Sequence, residues 1–289
     1  MAIPDLIRDP AEWQSRCTAA RDSGRRIALV PTMGFLHRGH LSLMHEARRR
    51  ADEGGSPGLS LATIFVNPTQ FGPAEDLARY PRDLDGDLAK CAQAGVDWVF
   101  APGSTESMYP PGFQTWVDVE EVSKGLCGAR RPGHFRGVAT VVAKLFGLSR
   151  PHLAVFGEKD WQQLQVIRRM VRDLDMGLEV LGMPIVREED GLALSSRNAY
   201  LSPAERERAT AISRSLFEAQ GRARGGERSS RALAERALAR LAEAGLEPDY
   251  VEVVHPGTLE PVARAEPGSR MLAAAFVGKP RLIDNVALP

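Results

Sequence analysis

Apolar and polar positions alternate along the chain in blocks, and the period of each block separates strands from helices. RIALVPT (Arg26 to Thr32) is a short, β-branched, apolar run ended by proline, the pattern of a buried strand. After the HRGH segment, Leu41, Met44 and Ala47 recur at helical spacing. The run closes on Arg48, Arg49 and Arg50, basic residues that suit a helix C-terminus. EGGSPG reads as a loop. LSLATIFVNP gives a second strand, DLDGDLAKCAQAG a helix closed by Gly95, and VDWVFAP a third strand. GVATVVAKLFGL, interrupted by Lys144, reads as a buried helix. LAVFGEKD is a fourth strand, followed by a helix carrying Leu164, Ile167, Met170 and Val171, and LEVLGMP is a fifth. Apolar strands separated by helices predict an α/β fold on a doubly wound parallel sheet. Residues 103–136, rich in Pro, Gly and aromatics, break the rhythm and read as an insertion or flap.

From Ser202 the pattern changes. Ser202, Pro203 and Glu205 form a capping box ahead of an amphipathic helix. A second Arg/Ala/Glu/Leu helix runs from about Ser230 to Ala244. YVEVV and MLAAAFV then read as strands, and the chain closes on RLIDN. This is a smaller α+β C-terminal domain. The boundary falls near Pro184, which gives domains 1–184 and 185–289.

A length of 289 residues suits about two domains at roughly 150 residues each. The chain has 37 basic and 37 acidic residues, and this balance argues against nucleic acid or an anionic membrane as partner. It leaves room for a small, locally positive anion pocket. Cys17, Cys91 and Cys127 are few, odd in number and far apart, so neither a disulfide framework nor a thiolate zinc site is indicated. MAIPDLIRDP carries acidic residues and no long apolar core, unlike a signal peptide. No run approaches the roughly 18 apolar residues of a membrane span. A reducing cytoplasm is the expected location.

Three motifs drop out. GGSPG fits G-x-S-x-G but follows a helix and precedes a strand, the reverse of a nucleophile elbow. DLDGDL lacks the sixth-position glycine and closing glutamate of an EF-hand loop. Neither G-x-G-x-x-G nor a Walker lysine loop is present.

PTMGFLHRGHLSL remains, at the C-terminal edge of the first of these strands, where open α/β sheets bind ligands. Gly34 and Gly39 permit close backbone approach, and the helix start offers N–H groups to phosphate. His37 and His40 are three apart and share a face of a helical turn. No metal-site spacing joins them to His45 or His134. Asn67 and Gln70 end the second strand, neutral amides suited to a hydroxyl and a carboxylate. Gly157, Lys159, Asp160 and Gln163 end another. Ser195, Ser196 and Arg197 add hydroxyls and a guanidinium suited to phosphate.

The strings PTMGFLHRGH, IFVNPTQF, DLARYPRDL, RPGHFRGV, FGEKDWQQL, DGLALSSRNAYL and RLIDN resemble, in order, the pantoate–β-alanine ligase (pantothenate synthetase) family. H-x-G-H alone marks only the wider nucleotidylyltransferase superfamily. The resemblance implies a Rossmann-like fold and an ATP-dependent ligase that condenses pantoate with β-alanine, on the route to coenzyme A. Pantoate is adenylated with release of pyrophosphate, and the amine of β-alanine then displaces AMP. By the same resemblance Met33, Gly34, His37 and His40 belong to the ATP-binding turn, with His40 the proton donor. Gly157, Lys159, Asp160, Val186, Leu194, Ser195, Ser196 and Arg197 complete the nucleotide site, with His37, His40 and Lys159 serving catalysis. Gln70 and Gln163 hold pantoate, Gln70 also lies near β-alanine, and Asn67 supports that pocket. The resemblance further implies Mg2+ with the nucleotide and a homodimer. Gly86 stands where some relatives have a carboxylate, which leaves the protein ligands of magnesium open. The second domain is expected to cover the activated intermediate, which water would otherwise hydrolyse. Two other readings fit the residues alone: another H-x-G-H nucleotidyltransferase that keeps the nucleotidyl group on its product, and a nucleotide-binding module without catalysis.

Overall fold

Runs of Ile, Leu, Val and Ala make strands covered on both faces. In the strand Ile27–Thr32 the first four side chains are 0% exposed. The structure is a computed structural model that describes residues 3–53, 57–73 and 75–289. Gly54, Gly55 and Ser56 of the EGGSPG loop and of the rejected GGSPG elbow lie outside the described residues, as do Met1 and Ala2 of the leading segment.

In chain order the first elements are β1 (Asp5–Ile7), α1 (Pro10–Asp22), β2 (Ile27–Thr32), α2 (Arg38–Ala51), β3 (Leu59–Ile64), α3 (Leu84–Gln93), β4 (Trp98–Phe100) and α4 (Thr105–Met108). They are followed by α5 (Leu126–Arg130), α6 (His134–Ser149), β5 (Leu153–Gly157), α7 (Trp161–Asp173) and β6 (Glu179–Met183). The remainder comprises α8 (Pro203–Arg224), α9 (Ser230–Glu243), β7 (Glu247–Val254), β8 (Arg270–Phe276) and β9 (Arg281–Ala287).

The chain divides into two compact units. The first comprises residues 1–120, 130–158 and 166–183; the second comprises 121–129, 159–165 and 184–289. In the first, six parallel strands take the order β1-β4-β3-β2-β5-β6, the Rossmann-like doubly wound sheet. The sixth strand, β1, adds to the five read from the pattern. It stands among charged residues and prolines in PDLIRDP and so forms no apolar run. Leu43, Met44 and Ala47 of α2 and Cys91 of α3 pack on Ala28, Val30 and Ala62 of the sheet.

Strand order reverses between β2 and β5. These neighbours pair only at Ala28↔Leu153 and Leu29↔Ala154, whereas β2 pairs with β3 at six positions. The C-terminal ends of β2 and β5 are therefore not tied to each other, which opens the sheet edge at its topological switch point. The 103–136 segment contains α4, α5 and the first turn of α6, so its last residues are helical rather than part of a flap.

The second unit is an antiparallel sheet, β7-β8-β9, with α8 and α9. Ile212 and Leu216 of α8 and Leu233 and Leu241 of α9 pack with Val251, Met271 and Val286 of the strands. The capping box forms as read: Ser202 N donates to Glu205 Oε2 at 2.9 Å, and Glu205 N donates to Ser202 Oγ at 3.3 Å. Among the described residues no helix is long and apolar enough to cross a membrane.

Candidate active site

The chain leaves β2 through two consecutive left-handed residues, Gly34 (φ 84°) and Phe35 (φ 49°), before α2 begins. Glycine is required at 34 for a further reason. A Cβ there would lie 2.9 Å from Asp87 Oδ2 and 3.0 Å from Ile64 Cγ2. A non-glycine residue in this region costs on the order of 1–3 kcal/mol and persists only where the surroundings hold it. Asp87 supplies that hold, accepting the N–H of Phe35 at 2.8 Å and of Leu36 at 2.7 Å. The Asp87 side chain is almost wholly buried, and burial pushes its carboxyl above the usual range against the pull of these bonds and of Lys90.

His37 is the N-cap of α2 and His40 its third residue. Their rings form a reciprocal cap. His37 Nδ1 accepts from Gly39 N at 3.1 Å, and His40 Nδ1 accepts from His37 N at 3.2 Å. A ring nitrogen that accepts carries no proton, so in each neutral imidazole the proton sits on Nε2 and that atom is a donor. The ring centroids are 4.1 Å apart.

Gln70 ends a 3₁₀ turn, Pro68–Gln70, after β3. It is buried at 8% exposure, with Oε1 accepting from Asn67 Nδ2 at 3.1 Å and Nε2 donating to Met33 Sδ at 3.2 Å. Asn67 also donates to Gly137 O at 3.1 Å, and its Oδ1 accepts the Tyr109 hydroxyl at 2.9 Å. The turn is seated against α6 because residue 137 is glycine. A Cβ there would come 2.4 Å from Thr69 O and 2.7 Å from Gln70 N. A second layer holds the Gln70 backbone. The Arg131 guanidinium meets His134 Nε2 at 3.0 Å, and His134 Nδ1 meets Gln70 O at 2.8 Å. Arginine can only donate, so His134 Nε2 accepts and Nδ1–H donates to Gln70 O. Glu75 binds Arg131 through two bonds of 2.8 and 2.5 Å. Burial would raise the Glu75 carboxyl, but the hydrogen bonds and charge of Arg131 outweigh it and hold it below the usual range.

In the second unit, Lys159 Nζ reaches Leu194 O at 3.5 Å and Asp160 Oδ2 at 3.8 Å. Val186 and Leu194 pair through Leu194 N→Val186 O at 3.0 Å, which sets the start of the SSRN turn. Ser195 caps that turn, accepting from Arg197 N at 3.2 Å, and Ser196 is buried within it. Gln163 is half-buried at the start of α7. Its neighbour Gln162 donates to Val122 O and Gly125 O and accepts from Cys127 N, tying down the 122–127 loop.

The family model for pantoate-beta-alanine ligase matches residues 5–287. The chain belongs to the pantoate–β-alanine ligase family. It is 69% identical to pantothenate synthetase of Anaeromyxobacter dehalogenans (strain 2CP-C) over 289 residues, the full length of both chains. The crystal structure of pantothenate synthetase from Thermus thermophilus matches with a TM-score of 0.91 at 46% identity, covering 99% of this chain and 100% of that one. A pantoate–β-alanine ligase from Francisella tularensis, complexed with βγ-ATP and β-alanine, matches with a TM-score of 0.81 at 30% identity, covering 98% and 97% of the two chains.

In this ligase the first unit brings Met33, Gly34, His37 and His40 together on one turn, with Gln70 bonded to Met33 and to Asn67. The second unit brings Lys159 to Leu194, beside Ser195 to Arg197. Sequence reasoning weighed Asp87 only as part of a metal loop. The signal for its actual role is an aspartate four residues before the buried Cys91, on the apolar face of α3. From sequence, Arg131 and His134 either lie near the active site or order the flap, and their contacts with the Gln70 turn span more than 60 positions of sequence. Both Asp87 oxygens are engaged by backbone, and the described residues contain no group of three or more His, Cys, Asp or Glu arranged to hold a metal. The donor set is therefore unlike a protein cage for Mg2+.

Proposed function

We propose that this ligase works through a pantoyl adenylate and uses ATP as its co-substrate. A pantoate carboxylate oxygen attacks the α-phosphorus, the bond to the β-phosphate oxygen breaks, and pyrophosphate leaves. The neutral amine of β-alanine then attacks the acyl carbon, and AMP leaves with the bonding pair. A carboxylate is already an adequate nucleophile, so the first step needs positioning and charge neutralisation rather than a protein nucleophile.

The observation that carries this reading is the shared tautomer of His37 and His40. Backbone N–H groups donate to both Nδ1 atoms, so each ring carries its proton on Nε2 at the first turn of α2. That is a donor pair suited to phosphoryl oxygens at a helix N-terminus. His40 Nε2–H donates a hydrogen bond to the departing pyrophosphate and stabilises the charge that develops there. From the second unit, Lys159, Ser196 and Arg197 neutralise phosphate charge. Gly157, Asp160, Val186, Leu194 and Ser195 shape the nucleotide site. Gln70 and Gln163 hold pantoate, Gln70 also meets β-alanine, and Asn67 fixes the Gln70 amide. Magnesium, if it comes with the nucleotide, would supply positive charge to the phosphates beside Lys159 and Arg197. The enzyme acts in the cytoplasm as a homodimer.

Product analysis with each substrate omitted in turn tests the proposal. AMP and pantothenate require ATP, pantoate and β-alanine together. Pyrophosphate without AMP in the full mixture would favour a nucleotidyltransferase that keeps the nucleotidyl group on its product. ATP binding without turnover would mark a binding module.

A further inference from the structure

The closing RLIDN string has no role in the chemistry above, yet its polar side chains reach into the parts of the second unit contributed by earlier sequence. Asn285 is 1% exposed, and both ends of its amide are committed. Nδ2 donates to the main-chain oxygen of Lys159 at 3.0 Å, and Oδ1 accepts from Arg270 Nε at 2.7 Å. The Arg270 guanidinium in turn lies 3.7 Å from the centroid of the Trp161 ring, whose Nε1 donates to Pro256 O at 2.9 Å. The turn Lys159 to Trp161 is thus clamped by β9 through Asn285 and by β8 through Arg270. At the start of the same strand, Arg281 binds Asp249 at 2.8 Å and approaches Cys127 Sγ at 3.5 Å. Asp284 takes the Arg187 guanidinium through bonds of 2.6 and 2.9 Å, one residue after Val186.

A buried amide with both ends satisfied is expensive to disturb, because either orphaned group would stay away from water. Fixing the Lys159 carbonyl leaves the ammonium only the freedom of its own side chain. We infer that Asn285 is a positioning residue for Lys159, setting where that ammonium meets nucleotide phosphate. This deepens the proposed function and rests on its assignment of Lys159 to phosphate.

The test uses the full chain carrying Asn285→Asp. Aspartate keeps the shape and the acceptor for Arg270, but turns an oxygen toward the Lys159 carbonyl in place of a donor. AMP formation is measured against ATP at saturating pantoate and β-alanine, then against pantoate at saturating ATP. The KM for ATP is expected to rise about tenfold, the scale of one lost hydrogen bond, with the KM for pantoate within about twofold of the parent. A folded N285D enzyme with an unchanged KM for ATP, whatever its kcat, overturns the inference, since a merely structural loss lowers only the active fraction. If N285D does not fold, Asn285→Ser, which keeps a donor on a shorter stem, is compared with Asn285→Ala, which has none. A higher KM for ATP in N285A supports the inference and equal values overturn it. Arg281→Lys loosens the Cys127 contact of the same strand and is expected to lower the melting temperature without moving the KM for ATP. An equal rise in R281K assigns the effect to general disorder of β9 and overturns the assignment to Asn285. Should the parent chain form no AMP at all, the adenylate mechanism fails separately. ATP affinity by calorimetry then replaces KM in the same comparison.

Discussion

The carboxylate of Asp87 and the backbone N–H of Leu36 meet at 2.7 Å across 51 positions of sequence. Together with the bond to Phe35 N, this contact fixes the left-handed turn that presents His37 and His40. Burial holds the Asp87 carboxyl above its ordinary range despite both bonds, so ionising it costs more in the folded protein than in the unfolded chain. Its charge is therefore not a source of stability, and its contribution falls as pH rises above the ordinary carboxylate value. Asp87→Asn is expected to change the unfolding midpoint little while raising the KM for ATP about tenfold, because one N–H then faces an NH2 group. Asp87→Ala leaves both N–H groups without an acceptor and should lose about 2 kcal/mol of stability as well. Urea unfolding and AMP kinetics on the two variants check this. A parent-like KM in both would mean that the turn holds itself.

Gly137→Ala tests the seat of the Gln70 turn. The added methyl would sit 2.4 Å from Thr69 O, closer than any real contact, so the 3₁₀ turn must move away from α6. The expected result is a rise in the KM for pantoate of about tenfold or more, with the KM for ATP unchanged, since displacements of about 1 Å can cost a hundredfold. Equal losses for both substrates would point to a general packing defect.

Gly34 and Gly137 mark where sequence reasoning reaches and where it stops. The other five strands of the parallel sheet, the helix from Leu41 onward and the capping box at Ser202 are written in local pattern, so each was legible. His37 and His40 were legible too, because their three-residue spacing on a helix start is local, and Gly34 belongs to the same short string. Gly137 stands in the recognised string RPGHFRGV, but its role lies in an approach to Thr69 that no local pattern records. The same holds for Asp87 with Leu36, His134 with Gln70 and Asn285 with Lys159, whose partners are 51, 64 and 126 positions away. Strand β1 escaped because, unlike the equally short β4 inside the apolar run VDWVFAP, it stands among charged residues and prolines in PDLIRDP.

His134 is expected to act through one nitrogen. Its Nδ1–H donates to Gln70 O, and an asparagine amide can place its own N–H near that position, whereas a glutamine amide reaches toward the Nε2 position instead. His134→Asn should retain most of the parent kcat/KM for pantoate. His134→Gln and His134→Ala should each lose about tenfold, the scale of one hydrogen bond. Steady-state kinetics on the three variants decide the matter, and a ranking with Gln above Asn would contradict the tautomer.

The Glu75–Arg131 pair gives a pH signature. The Glu75 carboxyl is held below its ordinary value of 4.5 in the folded protein. A group of this kind contributes stability that is present above the unfolded pKa and lost as pH falls through the lower, folded one. Glu75→Gln removes this contribution. The melting temperature of the parent should exceed that of E75Q near neutral pH, and the gap should close as pH drops below about 4.5. A gap that is constant from neutral to acid pH would assign the difference to packing instead.

The two roles of His40 can be pulled apart. Nδ1 caps α2 by accepting from His37 N, while Nε2–H is the donor assigned to phosphate. His40→Asn supplies a carbonyl oxygen near the Nδ1 position, so it can keep the cap and lose the distal donor. His40→Ala loses both. A helix cap is worth about 1 kcal/mol, and one preorganised donor to a developing charge about a hundredfold or more in rate. H40N is therefore expected to unfold close to the parent and H40A somewhat earlier, whereas pyrophosphate release should fall by about a hundredfold in both. Lys159→Ala should lower the same rate with no effect on the α2 cap, because its contacts run to Leu194 and Asp160. Pyrophosphate release at the parent rate in H40N would leave His40 a helix cap and nothing more, and the charge developing on the leaving phosphate would have to be met by His37, Lys159, Ser196 and Arg197.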